Sequence, residues 1–207
     1  MPPHIQALTV SGLACRRGHR VLFRDLSFAV RAGEVLALEG ANGAGKTSLL
    51  RQIAGFLAVE MGGIAITSDT GDIADAEERG AFIGWLGHHD GLKPQMSPRE
   101  NLAFYAGLYG TAGDIDAALG EVGLSRAADL PAQYLSAGQR RRAALARLIL
   151  SHRSLWLMDE PLAALDAEGK ALVNAALEAH RANGGIAIAA THEKLDAATA
   201  TMRLGAA

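Results

Sequence analysis

Cysteine is nearly missing from this chain: its 207 residues hold one, Cys15, which excludes an internal disulfide framework and fits a reducing compartment. An excess of charge is missing too. The formal net charge is −2, so no strong field draws the whole chain to nucleic acid or acidic lipid, and any basic site must be local. Long apolar runs are absent: residues 143–150 are broken by Arg147 and residues 186–190 are only strand length, whereas a bilayer-spanning helix needs about 20 apolar residues. A role at a membrane would need another chain to supply the span. The stretch before Cys15 lacks the basic leader and apolar run of an export signal, so none is expected. There is no repeat at solenoid spacing and no sustained heptad pattern, which excludes arrays and coiled coils.

What is present is a soluble, globular composition, 49% hydrophobic and 20% charged, long enough for one large or two small domains. Its organising stretch is Gly40-Ala41-Asn42-Gly43-Ala44-Gly45-Lys46-Thr47, with Val35-Leu36-Ala37-Leu38 before it and Ser48-Leu49-Leu50-Arg51-Gln52-Ile53 after it. That order reads strand, glycine loop, helix. Glycine at 40, 43 and 45 lets the backbone take positive φ and turn its N–H groups inward, and the helix N-terminus adds partial positive charge. The result is an anion cradle. Lys46 supplies a point charge for the β- and γ-phosphates of a nucleotide, and the Thr47 hydroxyl stands where it can ligate Mg²⁺, the mechanism behind the G-x-x-x-x-G-K-[ST] pattern. Ser48 joins the loop among the candidate nucleotide contacts.

Around that loop the patterns predict short strands at 7–10 and 21–30, joined by the basic turn Arg16-Arg17-Gly18-His19-Arg20 into an antiparallel edge. A buried strand at 34–39 delivers the loop, and the helix after it frays near Gly55. Gly62-Gly63 opens a strand at 64–67, residues 68–80 read as a polar loop with a short helix, and 81–87 as another buried strand. After Gly87 the pattern turns helical. Ser97-Pro98-Arg99-Glu100 is a capping box with proline at the first helical position, Asp114 caps a second helix, and Ser136-Ala137-Gly138-Gln139 opens a long third one to Leu150. Residues 88–150 therefore read as a helical insertion in a single domain spanning 1–207, with its core at 1–87 and 151–207. Arg140, Arg141 and Arg142 on the third helix read as a solvated or interfacial charged face rather than a nucleic-acid site. Further on come a buried strand at 155–158, a helix at 167–181, a turn at Gly184-Gly185 and a strand at 186–190. Strands alternating with helices imply an α/β parallel sheet whose ligands collect at the carboxyl ends of its strands, where Gly40, Asp159 and His192 fall.

Asp159-Glu160, closing an apolar strand, supplies what the glycine loop lacks. An aspartate there can hold Mg²⁺ opposite Thr47, and the next carboxylate can orient and deprotonate an attacking water, which makes Glu160 the candidate base.

Leu135-Ser136-Ala137-Gly138-Gln139 resembles the signature sequence of ATP-binding-cassette ATPases, with alanine in the place of the first glycine. The resemblance implies a P-loop cassette with a RecA-like parallel core, an antiparallel β edge and a helical signature subdomain. In that family the signature meets the γ-phosphate held by the glycine loop of a second copy, so Ser136, Ala137, Gly138 and Gln139 would act in trans. Ala164-Leu165-Asp166 resembles the D-loop, which crosses the dimer axis, and His192 the switch histidine that bonds the γ-phosphate and the attacking water. Gly87-His88-His89-Asp90-Gly91-Leu92-Lys93, Glu100-Asn101-Leu102-Ala103-Phe104-Tyr105 and Tyr134 through Arg142 are similar to the ATP-binding subunits of bacterial cytochrome c maturation transporters. That resemblance implies integral membrane permease partners that handle haem, a place at the cytoplasmic face of the inner membrane, ATP and Mg²⁺ as ligands, and no nucleic acid.

Two positions depart from the common cassette pattern. Arg17 stands where most cassettes have an adenine-stacking aromatic, so its guanidinium is the candidate for stacking on the base. His88 stands where most have a glutamine near Mg²⁺: either it substitutes as a neutral hydrogen-bonding group or the coupling is tuned differently. The competing functions are another small-substrate exporter, a DNA-organising ATPase and a nonhydrolytic nucleotide sensor. The DNA-organising reading lacks the long coiled-coil insertion such chains carry between loop and signature, and the sensor reading sits poorly with Lys46, Asp159, Glu160 and His192 all present.

Overall fold

The computed structural model describes residues 4–205. An antiparallel hairpin opens the chain, β1 (Ile5–Arg17) and β2 (Arg20–Arg31), closed at Gly18-His19 with Arg17 paired to Arg20. The turn is thus tighter than the predicted one, and Arg16, Arg17 and Arg20 lie within strands. Next come β3 (Val35–Glu39), α1 (Lys46–Ile53), β4 (Met61–Ser68), β5 (Gly71–Ile73), α2 (Ala76–Gly80) and β6 (Ile83–Leu86). Gly62 and Gly63 do not open β4 but lie inside it. At Gly62, φ is 88° and an added Cβ would stand 2.5 Å from the Gly12 carbonyl oxygen, so only glycine allows this approach to β1. β5 falls in the segment predicted as loop and helix; it is held by pairing to β4 and by a 2.7 Å bond from the Thr67 hydroxyl to Asp72.

The helices α3 (Pro98–Tyr109), α4 (Ile115–Glu121) and α5 (Ala137–Leu150) follow, each starting at its predicted cap, Ser97, Asp114 and Ser136. Then come β7 (Leu155–Asp159), α6 (Ala167–Ala182), β8 (Ile186–Ala190) and β9 (Ala200–Arg203). β9 has no apolar run, and only its pairing to the edge of β3 defines it.

Two sheets result: antiparallel β2-β1-β4-β5, and parallel β6-β7-β8-β3-β9. β7 and β8 are buried at every position, as strands covered on both faces are. Successive side chains alternate between faces. Leu155, Leu157, Ile186 and Ile188 pack with Leu49, Leu50 and Ile53 of α1 and with the antiparallel sheet, whereas Trp156, Met158, Ala187 and Ala189 pack with α5 and α6. All the parallel strands therefore point their carboxyl ends to one edge, where α1 begins. Among the described residues no helix is long and apolar enough to cross a membrane.

Candidate active site

The glycine loop joins β3 to α1. Gly40, Gly43 and Gly45 have φ of 147°, 78° and 105°. A Cβ at Gly40 would meet the Leu204 carbonyl oxygen at 2.5 Å, and one at Gly45 the Phe23 ring at 3.0 Å, so side chains are excluded by space as well as by backbone conformation. Gly45 caps α1 with no side-chain hydrogen bond, which leaves first-turn N–H groups for an anion. Lys46 is buried and its Nζ donates to the Gly40 carbonyl at 2.6 Å and, more weakly, to that of Ala41 at 3.4 Å.

The ends of β7 and β8 face this loop. The Thr47 hydroxyl donates to both Asp159 carboxylate oxygens, at 3.1 and 3.0 Å. His192 Nε2 is 3.2 Å from Lys46 Nζ and 3.2 Å from Glu160 Oε1, so this one nitrogen either accepts from the loop lysine or, when it carries the proton, donates to the strand-end carboxylate. Glu160 sits at φ 51°, with its N–H donating to the Ala190 carbonyl at 2.8 Å. For a residue other than glycine that left-handed backbone costs about 1–3 kcal/mol and persists only where the surroundings dictate it.

An open cavity of about 810 Å³ lies over these groups, within the size range of small-molecule sites. It is lined by Ala41, Asn42, Gly43, Gly45, Lys46, Thr47, Ser48, Asp159, Glu160 and His192, and at its rim by Arg17, His88 and His89. The last three are exposed. Gly40 and Ala44, also expected to contact the nucleotide, do not line the cavity: the Gly40 carbonyl accepts from Lys46 Nζ and Ala44 is buried.

The signature residues do not line this cavity. Ser136 caps α5, its Oγ accepting from the Gln139 N–H at 3.1 Å while Gln139 Oε1 accepts from the Ser136 N–H at 2.9 Å. Ser136 and Ala137 are exposed. Gly138 packs against the loop after β7, where a Cβ would stand 3.1 Å from the Ala164 carbonyl oxygen. Asp166 caps α6 through a 2.8 Å bond from the Gly169 N–H.

Arg141 corrects the expectation of a solvated charged face. It is 4% exposed. Its Nη2 donates to the carbonyls of Asp159 and Glu160 at 2.8 and 2.7 Å, its Nη1 to the Gly87 carbonyl at 2.7 Å and to Asp90 at 3.3 Å. Burial pushes its pKa down, and Asp90 pushes it back up. The signal was available: Arg141 shares a helical stripe, at the i, i+3, i+4, i+7 spacing, with Ala144, Leu145 and Leu148, all buried.

A glycine loop at a helix start, a lysine, a threonine facing an aspartate, and a glutamate and histidine at neighbouring strand ends define the class of an ATP-binding cassette. The model of the ABC transporter family matches residues 23–163. The described fold superposes on an ATP-bound bacterial Atm1-family ABC exporter with a TM-score of 0.84 at 22% identity, over 99% of this chain and 38% of that one. It superposes on a putative ABC transporter ATP-binding protein of Pyrococcus furiosus with a TM-score of 0.80 at 22% identity, over 96% and 97%.

Sequence relatives narrow the class. A cytochrome c biogenesis ATP-binding export protein, CcmA, of Rhodopseudomonas palustris strain BisB5 is 50% identical over 97% of this chain and 98% of that protein. The proteins of that name from Hyphomonas neptunium and Haemophilus ducreyi are 47% and 42% identical, the first over 90% of both chains and the second over 93% of both. The chain belongs to this family of cytochrome c biogenesis ATP-binding proteins within the ABC transporter class. It is accordingly a nucleotide-binding, ATP-hydrolysing protein.

Proposed function

We propose that this chain is the energy-coupling ATPase of a membrane transporter complex for c-type cytochrome biogenesis, serving haem export or release of a haem-loaded chaperone. The observation that carries the reading is the convergence of Lys46 and Glu160 on His192, with Thr47 and Asp159 beside it. Lys46 exchanges its neutral loop carbonyls for phosphate oxygens, a charge-assisted bond and a stronger one. The loop N–H groups, with those of Lys46, Thr47 and Ser48, carry the rest of the triphosphate. Glu160 takes the proton of the attacking water, and His192 fixes that water and the γ-phosphate relative to Glu160.

A hydroxyl and a carboxylate in hydrogen-bond contact are the hard oxygen donors that magnesium takes, so Thr47 and Asp159 fit as its holders. When bound, that ion neutralises charge on the β- and γ-phosphate oxygens. Of the exposed residues lining the cavity, Arg17 is assigned to the base and His88 to a hydrogen bond with the nucleotide in the place of the usual glutamine. Ser136, Ala137, Gly138, Gln139 and Asp166 serve the nucleotide of a second copy, so one chain holds half of each of two sites. Integral membrane permease subunits receive the closing motion through residues 88–150, which move as a helical insertion on the core. The complex sits at the cytoplasmic face of the bacterial inner membrane.

The test is Glu160→Gln in the assembled complex. ATP hydrolysis is expected to slow about 10²- to 10⁴-fold while ATP binding is spared. Turnover at the wild-type rate would remove Glu160 as the base.

A further inference from the structure

Glu160 is useful only while its carboxylate points at His192, and its backbone does not take that direction by itself. At φ 51° the chain doubles sharply between Asp159 and Pro161. The carbonyls of Asp159 and Glu160, one on each side of the Glu160 Cα, both end on the same nitrogen, Arg141 Nη2. With the Glu160 N–H fixed on the Ala190 carbonyl, three main-chain groups around that Cα are pinned. The other arm of the guanidinium holds the Gly87 carbonyl and Asp90, which bracket His88 and His89 at the cavity rim. Arg141 itself rides on α5, between one and two turns beyond Ser136. The helix that begins at Ser136 is therefore bolted to the backbone of the hydrolytic carboxylate.

We propose that Arg141 is a positioning residue for ATP hydrolysis: it holds Glu160 in its left-handed, His192-facing conformation and makes that conformation depend on where α5 sits. The proposal rests on the reading of Glu160 as the base. A cation is suited to this work because its planar fork meets several carbonyls at fixed angles, which neither an apolar residue nor a single amide does. Asp90 keeps the buried charge compensated. Displacement of α5 toward or away from β7 would shift both Arg141 bonds to the Glu160 segment, so the carboxylate is aligned only in one placement of the helix.

The experiment measures ATP turnover, KM and equilibrium ATP affinity of the full chain in its membrane complex for Arg141→Met, Arg141→Lys, Glu160→Gln and the two double variants. Arg141→Met is expected to lower kcat about 10²-fold, with KM and ATP affinity within about 3-fold of wild type. Arg141→Lys is expected to recover part of the rate, since an ammonium reaches some of the same carbonyls. In the Glu160→Gln background neither Arg141 change is expected to lower the residual rate further, because the group through which Arg141 acts is gone. Wild-type kcat in the Arg141 variants, a loss confined to KM or affinity, or the same fold-loss on top of Glu160→Gln would each overturn the proposal. If Arg141→Met does not fold, Arg141→Lys carries all three readouts. Wild-type turnover in Glu160→Gln alone would instead remove the base reading beneath it.

Discussion

Two histidines bracket β8, one beyond each end, and they do opposite things. His192, past the carboxyl end, has a side chain 44% exposed and stands 3.2 Å from both Lys46 Nζ and Glu160 Oε1. His180, near the end of α6 and ahead of the amino end of β8, lies flat on Trp156 with ring centroids 3.9 Å apart and an interplanar angle of 11°. Its Nε2 donates to the Ile186 carbonyl at 3.1 Å. The ring also fills the space over Gly185, where an added Cβ would come within 2.3 Å of it. In a parallel sheet every strand delivers its last residue to the same edge, so polar side chains from separate strands meet there and are left open to a ligand. The opposite edge receives the returning turns, and a histidine there is packed.

Alanine at position 192 tests the comparison most sharply. His192→Ala is expected to lower ATP turnover of the assembled complex about 10²-fold or more, and to leave the midpoint of denaturant unfolding nearly unchanged. Unfolding curves and turnover on the same preparation check both halves. A destabilised His192→Ala with normal turnover per folded molecule would mean that the two ends of β8 do not differ in kind.

Acid sharpens the comparison by acting on the packed histidine. Burial lowers the His180 pKa from its ordinary 6.5 to about 4, against the opposing effect of its bonds to the Ile186 and Ser154 carbonyls. The unfolded chain then binds a proton below about pH 6.5 that the folded chain refuses until about pH 4, so stability is lost as pH falls through that window. The loss from this one group is at most about 3 kcal/mol. Urea unfolding at pH 7.0 and pH 5.0 on wild type and His180→Gln would read it as the difference between the two slopes. Equal slopes would mean that His180 is not held neutral by its packing.

The same asymmetry explains what was legible in the sequence. Strand ends announce themselves: Gly40, Lys46, Thr47, Asp159, Glu160 and His192 each sit beside an apolar run whose direction the βα alternation supplies, and the fold joins Gly40, Lys46, His192 and Glu160 in one set of contacts and Thr47 with Asp159 in another. Caps are equally local, so Ser97, Asp114 and Ser136 were readable from residues within one turn. The burial of Arg141 was readable from its apolar stripe, but its partners were not, because they are main-chain carbonyls 18, 19 and 54 positions away, and no side-chain pattern marks a carbonyl. β5 and β9 were missed for a related reason: short, largely exposed edge strands are defined by the neighbour that pairs with them rather than by their own residues. His180 lies within the helix predicted at 167–181, and nothing in its neighbours along the chain shows that it packs on Trp156.

Ser136 asks whether the rule extends beyond the sheet, because its exposed helix cap is neither packed like His180 nor within reach of Lys46 and Glu160 like His192. If its work is only to cap α5, Ser136→Ala removes one bond to the Gln139 N–H and costs about 1 kcal/mol, lowering Tm by roughly 2–4 °C. ATP turnover would then be unchanged in molecules that remain folded. If the hydroxyl also reaches the nucleotide of a second copy, the same small stability loss accompanies about a tenfold fall in turnover of the complex, with ATP affinity of the separate chain untouched. We expect the second pattern, and Ser136→Thr separates the two causes. Threonine caps nearly as well as serine, but it adds a methyl group to an exposed cap that a second copy would meet, so Tm returns while turnover stays low. Recovery of turnover together with Tm would reduce Ser136 to a cap and leave the carboxyl edge of the parallel sheet as the whole of the chemistry.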